Sequence, residues 1–305
     1  MKKFLIVALL LSALALPASA EQPAAEQYRQ MFSSGNFYVE YQMYRLNDEK
    51  ERPISGIMAF AGQNGDRMYR PLTGKIIGFV VSMMSGTMNN HLKMLSSSKA
   101  ICSNIYSNLE FRQPETVAAE KKCPDVMYHD GKYYRFLTLE NHVAAIVLKE
   151  EELNSPYLNP KEEWNFIRED LALPDELAIF CWDEPFRDNV TNAPRYNGSS
   201  KREVAGKEYD CDQYVGDIKN LAGTIAFQEV YNALYDGGKL ARVQKYIIHD
   251  GKELFIQGLV IKNLTAQVPD SAFKIGRKVK VYAADKGDMN DLLEQPELVE
   301  TLGGK

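Results

Sequence analysis

Cysteine, histidine and tryptophan are scarce in this chain: four Cys, four His and two Trp in 305 residues. No C-x-x-C occurs, so thiol redox catalysis and structural zinc both lack their usual spacing. No G-x-G-x-x-G follows a strand pattern, and Thr73-Gly74-Lys75 lacks the upstream glycine that a phosphate loop needs. G-x-S-x-G and H-E-x-x-H are missing too. The net charge is −5 and no block of Lys and Arg appears, which excludes the electrostatic footprint of a nucleic-acid binder. No cofactor and no metal are implied, and the chain does not read as an enzyme. Its 45% hydrophobic and 25% charged content is that of a globular protein.

The first twenty residues read as an address. Lys2 and Lys3 form a positive start, Phe4 to Leu16 is apolar, and Pro17-Ala18-Ser19-Ala20 ends in the small residues of a cleavage site. That apolar run is too short to span a bilayer core of roughly 30 Å. The expectation is a signal peptide at 1–20, cleaved after Ala20, and a periplasmic or secreted protein with no transmembrane span after cleavage. No Cys follows Ala20 to carry a lipid anchor.

In an exported protein an even number of cysteines favours disulfides. Pairing neighbours in sequence joins Cys102 to Cys123 and Cys181 to Cys211, each worth about 3 kcal/mol in the chain-entropy model. The alternative is buried free thiols.

Alternation dominates the rest. Glu21 to Ser34 reads as a helix, with Tyr28, Met31 and Phe32 on one face and Gly35-Asn36 as its stop. Phe37, Val39, Tyr41 and Met43 alternate with polar neighbours, the period of a half-buried strand. Asn64-Gly65 and Asp130-Gly131 sit between strand patterns as hairpin turns. Val126 to Phe136 is strand, turn, strand, and Asn141 to Leu148 is a further strand. Asn159-Pro160 opens a helix running to about Asp170. Leu173 to Phe180 fits a short helix or a strand. Thr224 to Tyr235, Lys239 to His249 and Glu253 to Leu264 form a meander whose turns leave no room for crossover helices. An extended piece reaches Tyr282, and Asp291 to Leu302 reads as a short polar helix.

The expected fold class is α+β, mostly antiparallel β: a large curved sheet or half-open barrel with a few covering helices. Residues 21–305 form a single curved-sheet domain, with an inserted lobe at about 89–200.

Candidates for chemistry are few. His129 and His249 fall at hairpin turns, where solvated loop residues are the rule; His91 and His142 have no placement. Asp285, Asp288, Asp291 and Glu294, three apart, could gather a hard cation on one helix face, though a solvated helix start explains them as well. Ile76 to Met88 is apolar on every side and carries Phe79, Met83, Met84 and Met88. Methionine adapts to varied apolar partners, so this stretch suits either a greasy cavity or an ordinary core. Phe37, Tyr41, Phe227 and Tyr231 put large apolar area on one sheet face, for core packing or for a pocket.

One stretch resembles a known family. Glu203-Val204-Ala205-Gly206-Lys207-Glu208-Tyr209 forms a V-x-G-x-x-Y hairpin, followed by the Tyr235-Asp236-Gly237-Gly238-Lys239-Leu240 turn and by Val268-Pro269-Asp270-Ser271-Ala272-Phe273. This order is similar to the periplasmic lipoprotein-carrier fold, the half-barrel of the lipoprotein chaperones of the bacterial envelope. The resemblance covers about 200–280. It implies a non-catalytic envelope protein binding an acyl chain, lipid or lipoprotein in a sheet-lined cavity. The candidate lining is Phe37, Val39, Tyr41, Phe79, Met83, Met84, Met88, Phe227 and Tyr231. The competing reading is an interaction or structural module with a fully packed sheet, whose partners are other envelope proteins.

Overall fold

A computed structural model describes residues 21–47, 50–73, 123–139, 142–149, 171–181, 193–219, 223–249, 251–283 and 297–304. Among these lie thirteen strands and two helices. The strands are β1 (Phe37–Asn47), β2 (Lys50–Gln63), β3 (Asp66–Pro71), β4 (Val126–His129), β5 (Lys132–Leu139), β6 (His142–Lys149), β7 (Arg195–Val204), β8 (Lys207–Lys219), β9 (Ile225–Asp236), β10 (Lys239–His249), β11 (Lys252–Thr265), β12 (Val279–Ala283) and β13 (Leu298–Leu302). The helices are α1 (Pro23–Ser33) and α2 (Asp175–Ala178).

All thirteen strands belong to one open, curved sheet, in the order β13-β12-β6-β5-β4-β3-β2-β1-β11-β10-β9-β8-β7. Residues 126–149 therefore lie in the same sheet as the C-terminal meander. Every pairing is antiparallel except that of β12 with β6. Tight turns join most neighbours. Asn64, Asp130 and Ala205 hold positive φ and each is followed by a glycine with positive φ, the geometry of a hairpin turn that follows strand twist. Shifts of register in β1, β8 and β10 mark bulges, which bend a sheet and increase its twist.

The two faces are covered differently. On the inner face lies α1. Its 11 residues are too few to hold a helix in water by propensity alone, so packing must supply its stability. Ala25, Tyr28, Met31 and Phe32 are buried against the sheet, and each large apolar side chain so buried contributes about 1.5–3 kcal/mol. On the outer face, the chain leaving β11 crosses β1 to β6. Val268, Ala272 and Phe273 pack on Tyr38, Ala59, Ala61 and Met68, and Ile275 packs near Tyr134 and Phe136. That crossing brings β12 alongside β6 in the same direction, which is why this one pairing is parallel.

Two expectations are corrected. Leu298–Leu302 is a strand, not the end of a helix over 291–302; pairing with β12 overrides a weak local helix preference. The Cys181–Cys211 disulfide is absent. Both thiols are free and buried, as is Cys123, so Cys123 does not pair with Cys102 either. Cys181 packs on the inner face beside Phe180 and Tyr214. Cys211 packs with Val204, Tyr209 and Leu234 on the other side of the sheet, so the sheet itself separates the two sulfurs. Burial pushes the Cys123 and Cys211 thiols up to about 11, which keeps them protonated and unreactive. Cys102 lies outside the described residues, as do the helix expected over 159–170 and the residues Phe79, Met83, Met84 and Met88.

Gly258 on β11 sits opposite Tyr44 on β1. A Cβ there would lie 2.4 Å from the Tyr44 ring. That ring cannot swing away freely: Gln244 Nε2 donates to its hydroxyl at 3.1 Å, and the Arg242 guanidinium lies 5.7 Å from its centre. Gly258→Ala is therefore expected to cost about 1–3 kcal/mol as an overpacking change, read as a lower urea midpoint with an unchanged slope.

Candidate functional site

The largest apolar cluster lies between the inner face and α1. It joins Phe37, Val39 and Tyr41 of β1, Met58 and Phe60 of β2, Tyr231 and Tyr235 of β9, and Leu173 to Cys181. Ring contacts run through it: Phe32 meets Phe37 edge-on at 5.1 Å, Phe37 stacks on Phe60 at 5.6 Å, and Tyr28 lies 5.6 Å from Phe180. Phe37, Val39, Tyr41 and Tyr231 thus come together on one face, as their alternation implies. They face the helix and the 173–181 segment, and side chains fill the space between. Phe227 shares their strand face but lies outside the cluster, half-buried near the far end of β9.

Open volume is found at one seam of this interior. A cleft of about 330 Å³ runs between α1, residues 179–181 and the β7–β8 edge, lined by Arg29, Ser33, Ile179, Phe180, Cys181, Pro194, Tyr196 and Tyr214. Its aromatic part is ordered by edge contacts: Phe180 to Tyr214 at 6.1 Å and Tyr196 to Tyr214 at 6.0 Å. A smaller outer-face cleft of about 180 Å³ lies among Met127, His129, Phe273 and Leu302.

A polar network closes the N-terminal end of α1. The helix lacks a capping bond from its own Gln22 side chain. Instead Gln22 N–H donates to Asp212 Oδ2 at 3.0 Å, so a carboxylate on β8 caps the positive end of the helix. Asp212 is fully buried and also accepts from the Ser199 hydroxyl. Burial raises its pKa, with the Ser199 and Gln22 hydrogen bonds acting against that rise. Glu21 accepts from Tyr214 and pairs with Arg29. Arg29, at the mouth of the cleft, therefore already has a carboxylate partner.

A second network pins α2 to the meander. Lys245 on β10 points inward between Asp175 at 2.7 Å and Glu229 at 3.0 Å, with the Tyr231 ring centre 5.3 Å away. Tyr231 donates to Glu229 at 3.0 Å, and Gln257 Nε2 donates to Glu176 at 2.7 Å. Burial disfavours the Lys245 charge, but Asp175, Tyr231, Glu229 and Glu176 outweigh it, and the lysine is held protonated. Local sequence rules miss these partners because the contacts span long stretches of chain. One signal was present: Lys245 occupies the inward phase of a strand between Val243 and Ile247. The Tyr196, Tyr214 and Arg29 lining of the cleft carries no motif.

His129 Nδ1 lies 2.6 Å from Asp66 Oδ2 at the β4–β5 turn, an exposed pair between two hairpins. The His249 side chain, His91 and the acidic set at 285–294 lie outside the described residues, as does the His142 side chain. Among the described residues no group of three His, Cys, Asp or Glu side chains is arranged to hold a metal ion, and no helix is long and apolar enough to cross a membrane.

No family model matches the chain, and no curated protein matches it. Two solved structures are similar to it in part. One is a DUF1329 family protein from Desulfovibrio piger, 13% identical, covering 82% of this chain and 94% of its own, with a TM-score of 0.25. The other is an outer membrane lipoprotein-sorting protein domain from Vibrio parahaemolyticus, 9% identical, covering 82% and 97%, with a TM-score of 0.24.

Glu176 provides a pH test of the α2 latch. It is fully buried, and desolvation raises its pKa above the ordinary 4.5, against the opposing pull of Lys245 and Gln257. The folded state then binds more protons than the unfolded state just above 4.5, so this group's contribution to stability falls as pH rises through its folded pKa. Glu176→Gln keeps an oxygen for Gln257 and removes the charge. It is expected to raise the melting temperature at neutral pH and to flatten its fall as pH rises above about 4.5, measured by thermal melts at several pH values.

Proposed function

We propose that this chain is an exported, non-catalytic envelope protein that holds one apolar ligand, an acyl chain or lipid tail, at the seam between α1 and the inner face. The observation that carries this reading is the aromatic-walled cleft of about 330 Å³ beside a short helix held by apolar packing and a few polar anchors. That volume falls at the low end of small-molecule sites, roughly 300–1,000 Å³. An acyl chain needs no polar recognition: ten buried methylenes contribute about 8 kcal/mol before the costs of association. The polar groups around the seam are engaged with each other, Arg29 with Glu21 and Asp212 with Ser199, which suits shelter rather than chemistry. The export signal read in residues 1–20 puts such a protein where lipids and lipoproteins are handled.

A second reading rests on a different observation. Most of the inner face is filled by the chain's own side chains, as expected of an interaction module whose partners are other envelope proteins.

Fluorescent fatty acid separates the two. The delipidated protein is expected to bind such a probe saturably at micromolar concentration. Ser33, an exposed residue of α1 at the cleft, is the point at which to block it. Ser33→Trp is expected to weaken probe binding by at least about tenfold, the scale of losing one to two kcal/mol, with little change in melting temperature. Absence of saturable binding by the unaltered protein favours the interaction module.

A further inference from the structure

Cleavage after Ala20 would make Glu21 the amino terminus, and the charges around Glu21 do not balance. Asp212 on β8 is fully buried, and its carboxylate accepts from Gln22 N–H at 3.0 Å and from the Ser199 hydroxyl. Both donors are neutral. Among the described residues no Lys, Arg or His forms an ion pair with Asp212. Arg29 is engaged by Glu21 and, at 3.5 Å, by Glu26; Lys201 on β7 is engaged by Asp210 at 2.6 Å. A buried charge has given up its hydration and is normally paired. The Glu21 carboxylate, which accepts from Tyr214, adds a second negative charge close by.

Acceptors are also left over. A carboxylate offers about four lone-pair positions, of which Gln22 and Ser199 use two. The Tyr235 hydroxyl on β9 is buried beside Asp212 and Glu21 and completes no hydrogen bond. What this place lacks is a cation with several N–H donors.

The chain can make one there. Hydrolysis of the Ala20–Glu21 peptide bond by a signal peptidase adds water across it. Ala20 leaves with the new carboxylate, and Glu21 keeps an α-amine that is mostly protonated at pH 7, its ordinary pKa being about 7.7–8.0. Covalent geometry holds that nitrogen within about 3.7 Å of the Gln22 nitrogen, which itself lies 3.0 Å from Asp212 Oδ2. The ammonium and the Gln22 N–H can therefore both reach one carboxylate.

We propose that removal of residues 1–20 supplies the missing counter-ion: the α-ammonium of Glu21 pairs with buried Asp212 and fixes the start of α1 on β8. Before cleavage the same nitrogen is a neutral amide. Arg29 and Ser33 of α1 border the cleft, so processing completes the anchoring of the helix that walls it. The proposal rests on the export signal and its cleavage after Ala20, and it is independent of what the cleft holds.

The test compares two forms of the protein with defined starts, one beginning at Glu21 and one retaining Ala18-Ser19-Ala20. The Glu21 form is expected to melt about 2–4 °C higher. Asp212→Asn keeps an oxygen for Gln22 and removes the charge, and it is expected to make the two forms melt alike. A second readout needs no variant: the α-amine of the Glu21 form is expected to react with an acylating reagent at least about tenfold more slowly in the native protein than in urea, since pairing with a carboxylate keeps it protonated. The proposal is overturned if the retained tripeptide leaves the melting temperature unchanged, or if it lowers that temperature equally in Asp212→Asn. It is also overturned if the amine reacts as fast in the native protein as in urea. The intact mass of the exported protein tests the export reading separately: a start at Glu21 supports it, and any other start overturns the cleavage site together with the proposal.

Discussion

Everything on the inner side depends on the burial of Tyr28, Met31 and Phe32 against Phe37, Phe60 and Tyr235. An open sheet has two faces and no means of covering either by closure. The outer face is covered by a crossing of chain that continues directly from β11 and ends in paired strand. The inner face over β1 and β8–β11 is covered by an 11-residue helix and by the segment around α2. Neither piece has much backbone structure of its own, so apolar contact with the sheet and a few polar anchors hold both. Asp212 is one anchor, taking the first N–H of the helix region; Lys245 is the other, gathering Asp175 and Glu229.

These anchors differ in physical character from the apolar contacts. A buried carboxylate or lysine contributes through the geometry of its partners, because its desolvation offsets much of its attraction. Such groups fix where a helix sits more than how tightly it holds. The apolar cluster supplies the area, and the polar groups select the register. Beside them lies the cleft of about 330 Å³, bounded by the helix, the α2 segment and the β7–β8 edge.

The strands were the most legible part of the sequence. Alternation over Phe37 to Met43, the Asn-Gly and Asp-Gly turns, and the run of short connections after Thr224 all translate directly into hairpins, because period two and positive φ are local properties. The helix at 23–33 was legible for the same reason. What failed was non-local. Leu298 to Leu302 looks polar and helical alone, yet becomes a strand because β12 offers it a ladder. Cys181 and Cys211 look like partners in sequence, yet the sheet lies between them. The parallel joining of β6 and β12 depends on a crossing that no local pattern encodes. At the candidate site, Phe37, Val39, Tyr41 and Tyr231 could be placed on a common face by parity alone. The cleft lining of Tyr196, Tyr214 and Phe180 could not, since it draws single residues from separate elements with no shared spacing.

The central claim is that the seam beside α1 is where an apolar guest enters, with the sheet unchanged behind it. Hydrogen–deuterium exchange with and without saturating fatty acid reads this directly. The account predicts altered exchange in residues 23–33 and 173–181, with β9 and β10 amides unmoved. Probe binding that leaves both segments unaffected, or that changes the central strands instead, would contradict it.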